Sequence, residues 1–290
     1  LVEIRNITKV FPGTVALDDV SFKIRRGEVH AVIGENGAGK STLMKILVGA
    51  YAPDGGKLVI DGKEYDRLTP ALADKLGIRI VYQELNQVPE LTVANNMLLG
   101  QESFFLKDRA ANEQARHILH GLQIYDVDPR AKLGTLSIGK RQLIEIAKAS
   151  IIPSKLIIMD EPTSSLTNNE TSILLQHIRK LCSEGCTVIY ISHKLDEIMD
   201  IADRITIMRD GRHVKTVAKQ DITIDEMIQL MVNRKMGDLF PPHSRTPGEI
   251  ILEVSHLHKP GLVEDAGFQL RRGEVLGFIG LMGCGRTELF

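Results

Sequence analysis

Charge of one sign is what this sequence most plainly lacks: among 290 residues, 36 lysines and arginines face 37 aspartates and glutamates. A balance this close to neutral argues against a broad electrostatic footprint for nucleic acid, while leaving room for a local patch. Cysteine is scarce as well, with Cys182, Cys186 and Cys284 the whole complement. Three are too few and too badly placed for a disulfide framework, and Cys182 and Cys186 have no second ligand pair nearby for zinc, so a reducing cytosol is the expected setting. Long apolar runs are missing too. Nothing approaches the roughly 18–20 residues that cross a bilayer, and no signal peptide opens the chain, so any membrane role is expected to come through a partner. Because the first residue is Leu1 rather than Met, an N-terminal piece is expected to be missing. The length suits one large domain or two, with ample residues for a core.

What the sequence does have is concentrated in Gly34-Glu35-Asn36-Gly37-Ala38-Gly39-Lys40-Ser41, which fits the phosphate-cradling pattern G-x-x-x-x-G-K-[ST] with an extra glycine inside. Three glycines let the backbone turn tightly and aim its N–H groups inward, a nest for a di- or triphosphate at a helix N-terminus. Lys40 supplies a point charge, and the Ser41 hydroxyl is suited to Mg²⁺ on the phosphates. The flanks agree. Val29 to Ile33 is a nearly continuous apolar run that predicts a buried strand, and Thr42-Leu43-Met44-Lys45-Ile46-Leu47-Val48 begins a helical segment. A Gly-rich connecting turn is the plainer alternative.

Taken in order, Val2 and Ile4, then Val20, Phe22 and Ile24, alternate with polar residues and predict half-buried antiparallel strands on either side of Phe11-Pro12-Gly13. Phe11 could offer a face to a nucleobase, but by its residues alone a core or loop phenylalanine fits better. Lys57 to Asp61 reads as a strand of another hairpin, closed at Asp61-Gly62, and Gly77 to Tyr82 as a strand ending at Gln83. From Glu84 to about Leu133 the pattern turns helical. His117 and His120 lie there without a carboxylate or cysteine cluster, as surface or packing residues rather than metal ligands. Leu136-Ser137-Ile138-Gly139 precedes a helix from Lys140 to Ala149, where the serine is explained by capping alone. Leu156 to Asp160 with Glu161, and Thr187 to Ile191 with Ser192-His193, are apolar strands that end in polar residues, where ligands of parallel sheets bind. Capping boxes open helices at Thr167 to Glu170 and Thr223 to Glu226; Arg204 to Val217 reads as a hairpin, and the Pro/Gly-rich stretch from Arg234 to Glu249 as a linker.

Beyond that linker the opening of the chain repeats. Arg25-Arg26-Gly27-Glu28-Val29 is matched by Arg271-Arg272-Gly273-Glu274-Val275, and Val32-Ile33-Gly34 by Phe278-Ile279-Gly280. In the same register Gly37, Gly39 and Ser41 meet Gly283, Gly285 and Thr287, while Lys40 meets Arg286. Arginine is planar and bulkier than lysine, so it does not simply replace it at a phosphate. The second copy is too short for a core of its own, and a longer, duplicated protein is the simplest expectation.

The ordered set resembles the ATP-binding cassette (ABC) ATPases over residues 1 to about 235. It runs from Phe11 as an A-loop aromatic through the Walker A loop, Gln83 of the Q-loop, the signature Leu136 to Lys140, Walker B ending at Asp160 with Glu161, and a D-loop-like Ser165-Leu166-Thr167 to His193 of the H-loop. The signature departs from the common Leu-Ser-Gly-Gly-Gln at Ile138 and Lys140. More narrowly, Tyr82 to Asn86, Asp128 to Ala131 and Met159 to Thr167 look like the monosaccharide importers whose two cassettes are fused in one chain, a group in which a second Walker A without lysine is usual.

That resemblance implies an α/β fold: a P-loop NTPase core with a mostly parallel sheet, an antiparallel β subdomain and an inserted helical subdomain at about residues 84–150. The first cassette would span residues 1–235, a linker 236–249, and the truncated start of a second, degenerate cassette 250–290. The implied cofactors are ATP and Mg²⁺. Nucleotide would be bound by Phe11, Gly34, Asn36, Gly37, Ala38, Gly39, Lys40, Ser41 and Thr42, with Ser137 and Gly139 meeting the γ-phosphate of an opposing cassette. The metal would be held by Ser41, Gln83 and, through water, Asp160; Glu161, His193, Lys40 and Gln83 would form the catalytic set. The implied protein is the ATPase subunit of a sugar importer, peripheral on the cytoplasmic face of the membrane. Its partners would be transmembrane permease subunits, through them a sugar-binding protein, and a second cassette, with no nucleic acid. The alternative is a soluble cassette protein of translation or DNA repair, against which stand the short linker and the lack of zinc or coiled-coil insertions. A P-loop GTPase fits worse, since His193-Lys194-Leu195-Asp196 begins with the wrong residue for Asn-Lys-x-Asp.

Overall fold

In a computed structural model of the chain, the described residues are 1–83, 85–99, 108–232, 247–280 and 284–289. Most of the expected linker and part of the expected helical subdomain lie outside them. The chain divides into two compact units, Leu1–Met236 and Gly237–Phe290.

In the first unit, β1 (Val2–Phe11) and β2 (Thr14–Ile24) pair antiparallel and bury Val2, Ile4, Val20, Phe22 and Ile24 on one face, as their alternation requires. β3 (Val29–Ile33) is buried at every position and feeds α1 (Lys40–Leu47). β4 (Gly55–Ile60) pairs with the other edge of β1, and β5 (Lys63–Tyr65) turns back on it after Asp61-Gly62, so the antiparallel sheet runs β2-β1-β4-β5. α2 (Pro70–Lys75), capped by the Thr69 hydroxyl, leads to β6 (Ile78–Val81).

Three helices follow: α3 (Val93–Leu98), α4 (Asp108–Gly121) and α5 (Ile138–Ala149). They pack on one another, with Ala115 and Leu119 of α4 and Leu143, Ile146 and Ala147 of α5 buried. His117 and His120 are exposed. The remaining elements are β7 (Leu156–Asp160), α6 (Asn168–Ser183), β8 (Thr187–Ile191), α7 (Leu195–Ile201), β9 (Arg204–Arg209), β10 (Arg212–Ala218) and α8 (Ile224–Val232). Both capping boxes form: Glu170 accepts from the Thr167 backbone at 2.8 Å, and Glu226 from the Thr223 backbone at 2.8 Å.

The second sheet runs β10-β9-β3-β8-β7-β6, parallel throughout except for β10 on the β9 edge. β3 therefore lies inside, between β8 and β9, which is why its residues can be apolar on both faces. The result is the expected α/β architecture, a mostly parallel sheet with an antiparallel sheet and an inserted group of helices.

The second unit reproduces the start of the first in detail. β11 (Ile250–Lys259) and β12 (Val263–Arg271) pair antiparallel with Leu252 opposite Leu270, Glu253 opposite Gln269 and Val254 opposite Phe268. In the first unit the same steps are Val2 opposite Ile24, Glu3 opposite Lys23 and Ile4 opposite Phe22. The bulges match as well. Asn6 (φ 51) and Asp19 (φ 54) are left-handed and joined at 2.7 Å, and so are His256 (φ 52) and Asp265 (φ 53), joined at 2.6 Å.

The likeness stops after Glu274. Val29 and Ile33 are 3% and 0% exposed, whereas Val275 and Ile279 are 93% and 97% exposed and lie outside any strand. Sequence pattern alone cannot hold a buried parallel strand. β3 has β8 and β9 on its two edges, but among the described residues of the second unit no strand pairs with 275–279. Each apolar side chain left out forgoes about 1.5–3 kcal/mol of burial. A short helix, α9 (Arg286–Leu289), begins at Arg286, the counterpart of Lys40.

Candidate functional site

Because β3, β8, β7 and β6 are parallel, their carboxyl ends lie along one edge of the sheet, and each delivers polar residues there. β3 delivers the glycine loop, β6 Gln83, β7 Asp160 and Glu161, and β8 Ser192 and His193. Tertiary pairing thus collects what the sequence spreads over more than half the chain.

The loop closes tightly between β3 and α1. Gly39, the residue before the helix, has φ 93, and a Cβ there would stand 2.5 Å from the Ala16 carbonyl oxygen and 2.7 Å from Leu17 Cδ2. Only glycine meets both demands, the left-handed backbone and the close approach. Asn36 and Gly37 are exposed, Ala38 is buried, and Thr42 is half-buried on the first turn of α1. Lys40 is buried, and its ammonium donates to the Gly34 and Glu35 carbonyls at 2.7 and 2.9 Å. Burial holds its pKa below the usual lysine value, while the nearby Glu161 and Asp160 carboxylates oppose that shift.

Ser41 is exposed and donates its hydroxyl to Asp160 Oδ2 at 3.3 Å. Burial raises the Asp160 pKa, the Ser41 hydrogen bond works against it, and the neighbouring Glu161 charge adds to it. Glu161 is the meeting point of the edge. Its Oε2 accepts from Gln83 Nε2 at 3.4 Å, its Oε1 contacts His193 Nε2, and its backbone N–H donates to the Ile191 carbonyl at 2.9 Å. Its backbone is left-handed, φ 48.

Two other groups of expected site residues stand at their own places in the fold. Ser137 and Gly139 open α5: the exposed Ser137 hydroxyl accepts from the Lys140 N–H at 3.4 Å, and a Cβ at Gly139 would lie 2.8 Å from Glu170 Oε2. Lys140 pairs with Asp126 at 2.6 Å. Phe11 ends β1 half-buried, edge-on to Tyr51 with centroids 5.5 Å apart and with Lys9 Nζ over its ring.

The cradle fits a phosphate chain, since the loop is built where a Cβ is excluded and carries a buried ammonium at its base. Among the described residues no cluster of three or more His, Cys, Asp or Glu could hold a metal alone. Ser41, Asp160 and the Gln83 amide oxygen do supply the kind of oxygen ligands that suit Mg²⁺, which commonly takes only one or two carboxylates and completes its shell with phosphates and water.

A family model described as "ABC transporter" matches residues 17–164, just over half of the chain. The chain belongs to the ABC transporter family. Curated relatives agree with that placement. A ribose import ATP-binding protein of Rubrobacter xylanophilus is 48% identical over 292 residues, covering 100% of this chain and 58% of the relative. A Geobacillus kaustophilus protein provisionally named for ribose/galactose/methyl galactoside import is 47% identical over 294 residues, covering 100% of this chain and 58% of the relative. The chain thus spans little more than half the length of these relatives.

Solved ABC cassettes share the fold. A cassette of an ABC transporter in its ADP conformation superposes with a TM-score of 0.70 at 27% identity, over 82% of this chain and 97% of that one. A dimeric cassette in a post-hydrolysis state with ADP and Pi gives 0.67 at 25% identity, over 76% and 99%. Among the described residues no helix is long and apolar enough to cross a membrane. One property of this ABC cassette had no sequence signal: the left-handed backbone of Glu161. Its neighbour Pro162 pointed the other way, because a residue before proline is normally extended.

Proposed function

We propose that the first unit is the ATP-binding and ATP-hydrolysing cassette of a monosaccharide importer, coupling hydrolysis to uptake through permease subunits at the cytoplasmic face of a membrane. The observation that carries this reading is the joined set at the sheet edge: Ser41 with Asp160, and Gln83 and His193 both on Glu161. The names of the relatives support the sugar-import part.

In this reading the glycine loop and Lys40 bind the β- and γ-phosphates, with Thr42 beside them, and Phe11 stacks on the base. Ser41, Gln83 and Asp160 would hold Mg²⁺, which would neutralise charge on the phosphates. Glu161 orients and polarises the attacking water by accepting its proton in a hydrogen bond, and His193 steadies the γ-phosphate side of the same cavity. Catalysis is then positioning and charge stabilisation. Ser137 and Gly139 serve the nucleotide of an opposing cassette, so turnover needs a pair of cassettes. Arg286 in the place of Lys40 makes the second copy the weaker nucleotide site.

The test is Glu161→Gln. ATP binding should persist while turnover falls by ~10²-fold or more, the scale of a lost proton acceptor. Turnover at the wild-type rate in this variant would remove Glu161 from the role and the reading with it.

A further inference from the structure

Two loops must be held in register for Glu161 to meet His193, and neither is held by the sheet alone. Glu161 leaves β7 in a left-handed conformation, and His193 lies two residues past the end of β8, 45% exposed along its side chain. Behind them is a buried polar group that the proposed chemistry does not use. Glu197, in the first turn of α7, has a side chain only 12% exposed. Its Oε2 accepts two hydroxyls, from Thr163 at 2.7 Å and Tyr190 at 2.9 Å. Its Oε1 pairs with Lys194 Nζ at 2.9 Å, and that ammonium also donates to the Thr163 carbonyl at 3.2 Å.

The partners lie on both sides of the reacting pair. Thr163 is two residues after Glu161 and 2% exposed; Lys194 directly follows His193; Tyr190, 0% exposed, is near the end of the strand that leads to His193. One carboxylate therefore ties the turn after β7 to the turn after β8. A group serving stability alone could sit anywhere in the core, whereas this one bridges the two backbones whose spacing sets the Glu161–His193 contact. The donors are dependable: burial, with the Glu197 charge next, pushes the Tyr190 hydroxyl well above its ordinary pKa, so it stays a proton donor.

We propose that Glu197 is a positioning residue, which holds His193 against Glu161 by anchoring Thr163, Tyr190 and Lys194 on a single carboxylate. The inference rests on the reading of Glu161 and His193 as parts of the hydrolytic site. In Glu197→Gln the side chain keeps its size but loses the ion pair with Lys194, and its amide nitrogen cannot accept a hydroxyl.

The readout is the set of ring-nitrogen NMR signals of His193 in the full chain, assigned by their loss in His193→Ala. Glu197→Gln should move them in the direction that Glu161→Gln does, because in both the ring loses its contact with a carboxylate, by displacement in the first and by removal of the charge in the second. ATP affinity by calorimetry should stay at the wild-type value. Turnover should fall about tenfold, inside the roughly hundredfold that a 1 Å misplacement can cost, and Glu197→Gln should add nothing further in a His193→Ala background.

If Glu197→Gln does not fold, Thr163→Val and Tyr190→Phe each remove one donor at nearly constant volume, and each should move the same signals by a smaller amount. His193 signals unchanged in all variants that fold would overturn the proposal, as would full additivity with His193→Ala. Failure of the parent reading shows separately, as wild-type turnover in Glu161→Gln; the NMR signals need no turnover.

Discussion

Glu161 is the one residue of the edge whose backbone and side chain make opposing demands, and the cost can be measured. At φ 48 a residue with a Cβ carries strain, of the order of 1–2 kcal/mol in the left-handed region. The conformation is enforced by the Glu161 N–H bond to the Ile191 carbonyl and by the burial of Thr163 two residues on. Glu161→Ala removes the carboxylate and keeps the strain; Glu161→Gly removes both, at an entropic cost of roughly 0.5–1 kcal/mol through the unfolded chain. The glycine variant should therefore be the more stable of the two, by about 0.5–1 kcal/mol, the reverse of the ordinary order. Urea unfolding midpoints of the two variants, compared at equal slope, measure the difference, and neither variant should turn over ATP at more than a trace of the wild-type rate. An alanine variant as stable as the glycine variant, or more so, would refute the strain argument.

Lys40→Ala should weaken nucleotide binding, seen by calorimetry as an affinity loss of at least about tenfold, and an unchanged affinity would end the assignment of the loop. Gly39→Ala should destabilise the first unit by several kcal/mol or abolish its folding, since the new Cβ meets the Ala16 carbonyl and the Leu17 side chain at once; thermal unfolding checks it. His177 gives a pH signature: its Nε2 is bonded to Ser150, its Nδ1 has no partner, and burial lowers its pKa from 6.5 to about 4. In the window between those values the unfolded chain binds the proton and the folded one does not, so stability is lost as pH falls from about 6.5 to about 4, by up to about 3 kcal/mol. His177→Gln should flatten that part of the curve of unfolding midpoint against pH.

Legibility in the sequence followed the range of the interaction. Strand β3, helix α5 and the capping boxes at Thr167 and Thr223 could be read directly, because apolar runs, helical spacing and caps involve residues a few positions apart. The glycine loop was legible for the same reason. Pairing was not: nothing in Val29 to Ile33 says that β8 and β9 flank it, and among the described residues the same pattern at Val275 to Ile279 lies outside any strand. The edge residues Gln83, Glu161 and His193 could be ordered by resemblance, yet the contacts among them depend on which strands lie side by side. Glu197 gave no signal at all, since an acidic residue in the first turn of a helix is ordinary dipole chemistry. Its role depends on Tyr190 and Thr163 arriving from two other segments.

The place of β3 inside the sheet also sets a timetable. The two strands of the hairpin β1–β2 are both present as soon as Ile24 is made. The strand that carries the glycine loop has no neighbour until β8 and β9 exist, the second of them ending at Arg209. At ~5–20 residues per second of synthesis, the loop waits roughly ten to thirty-five seconds without the sheet that will shape it. The loop thus precedes by most of the first unit the strands that complete its site, and during that interval the nascent chain has nothing with which to grip a nucleotide.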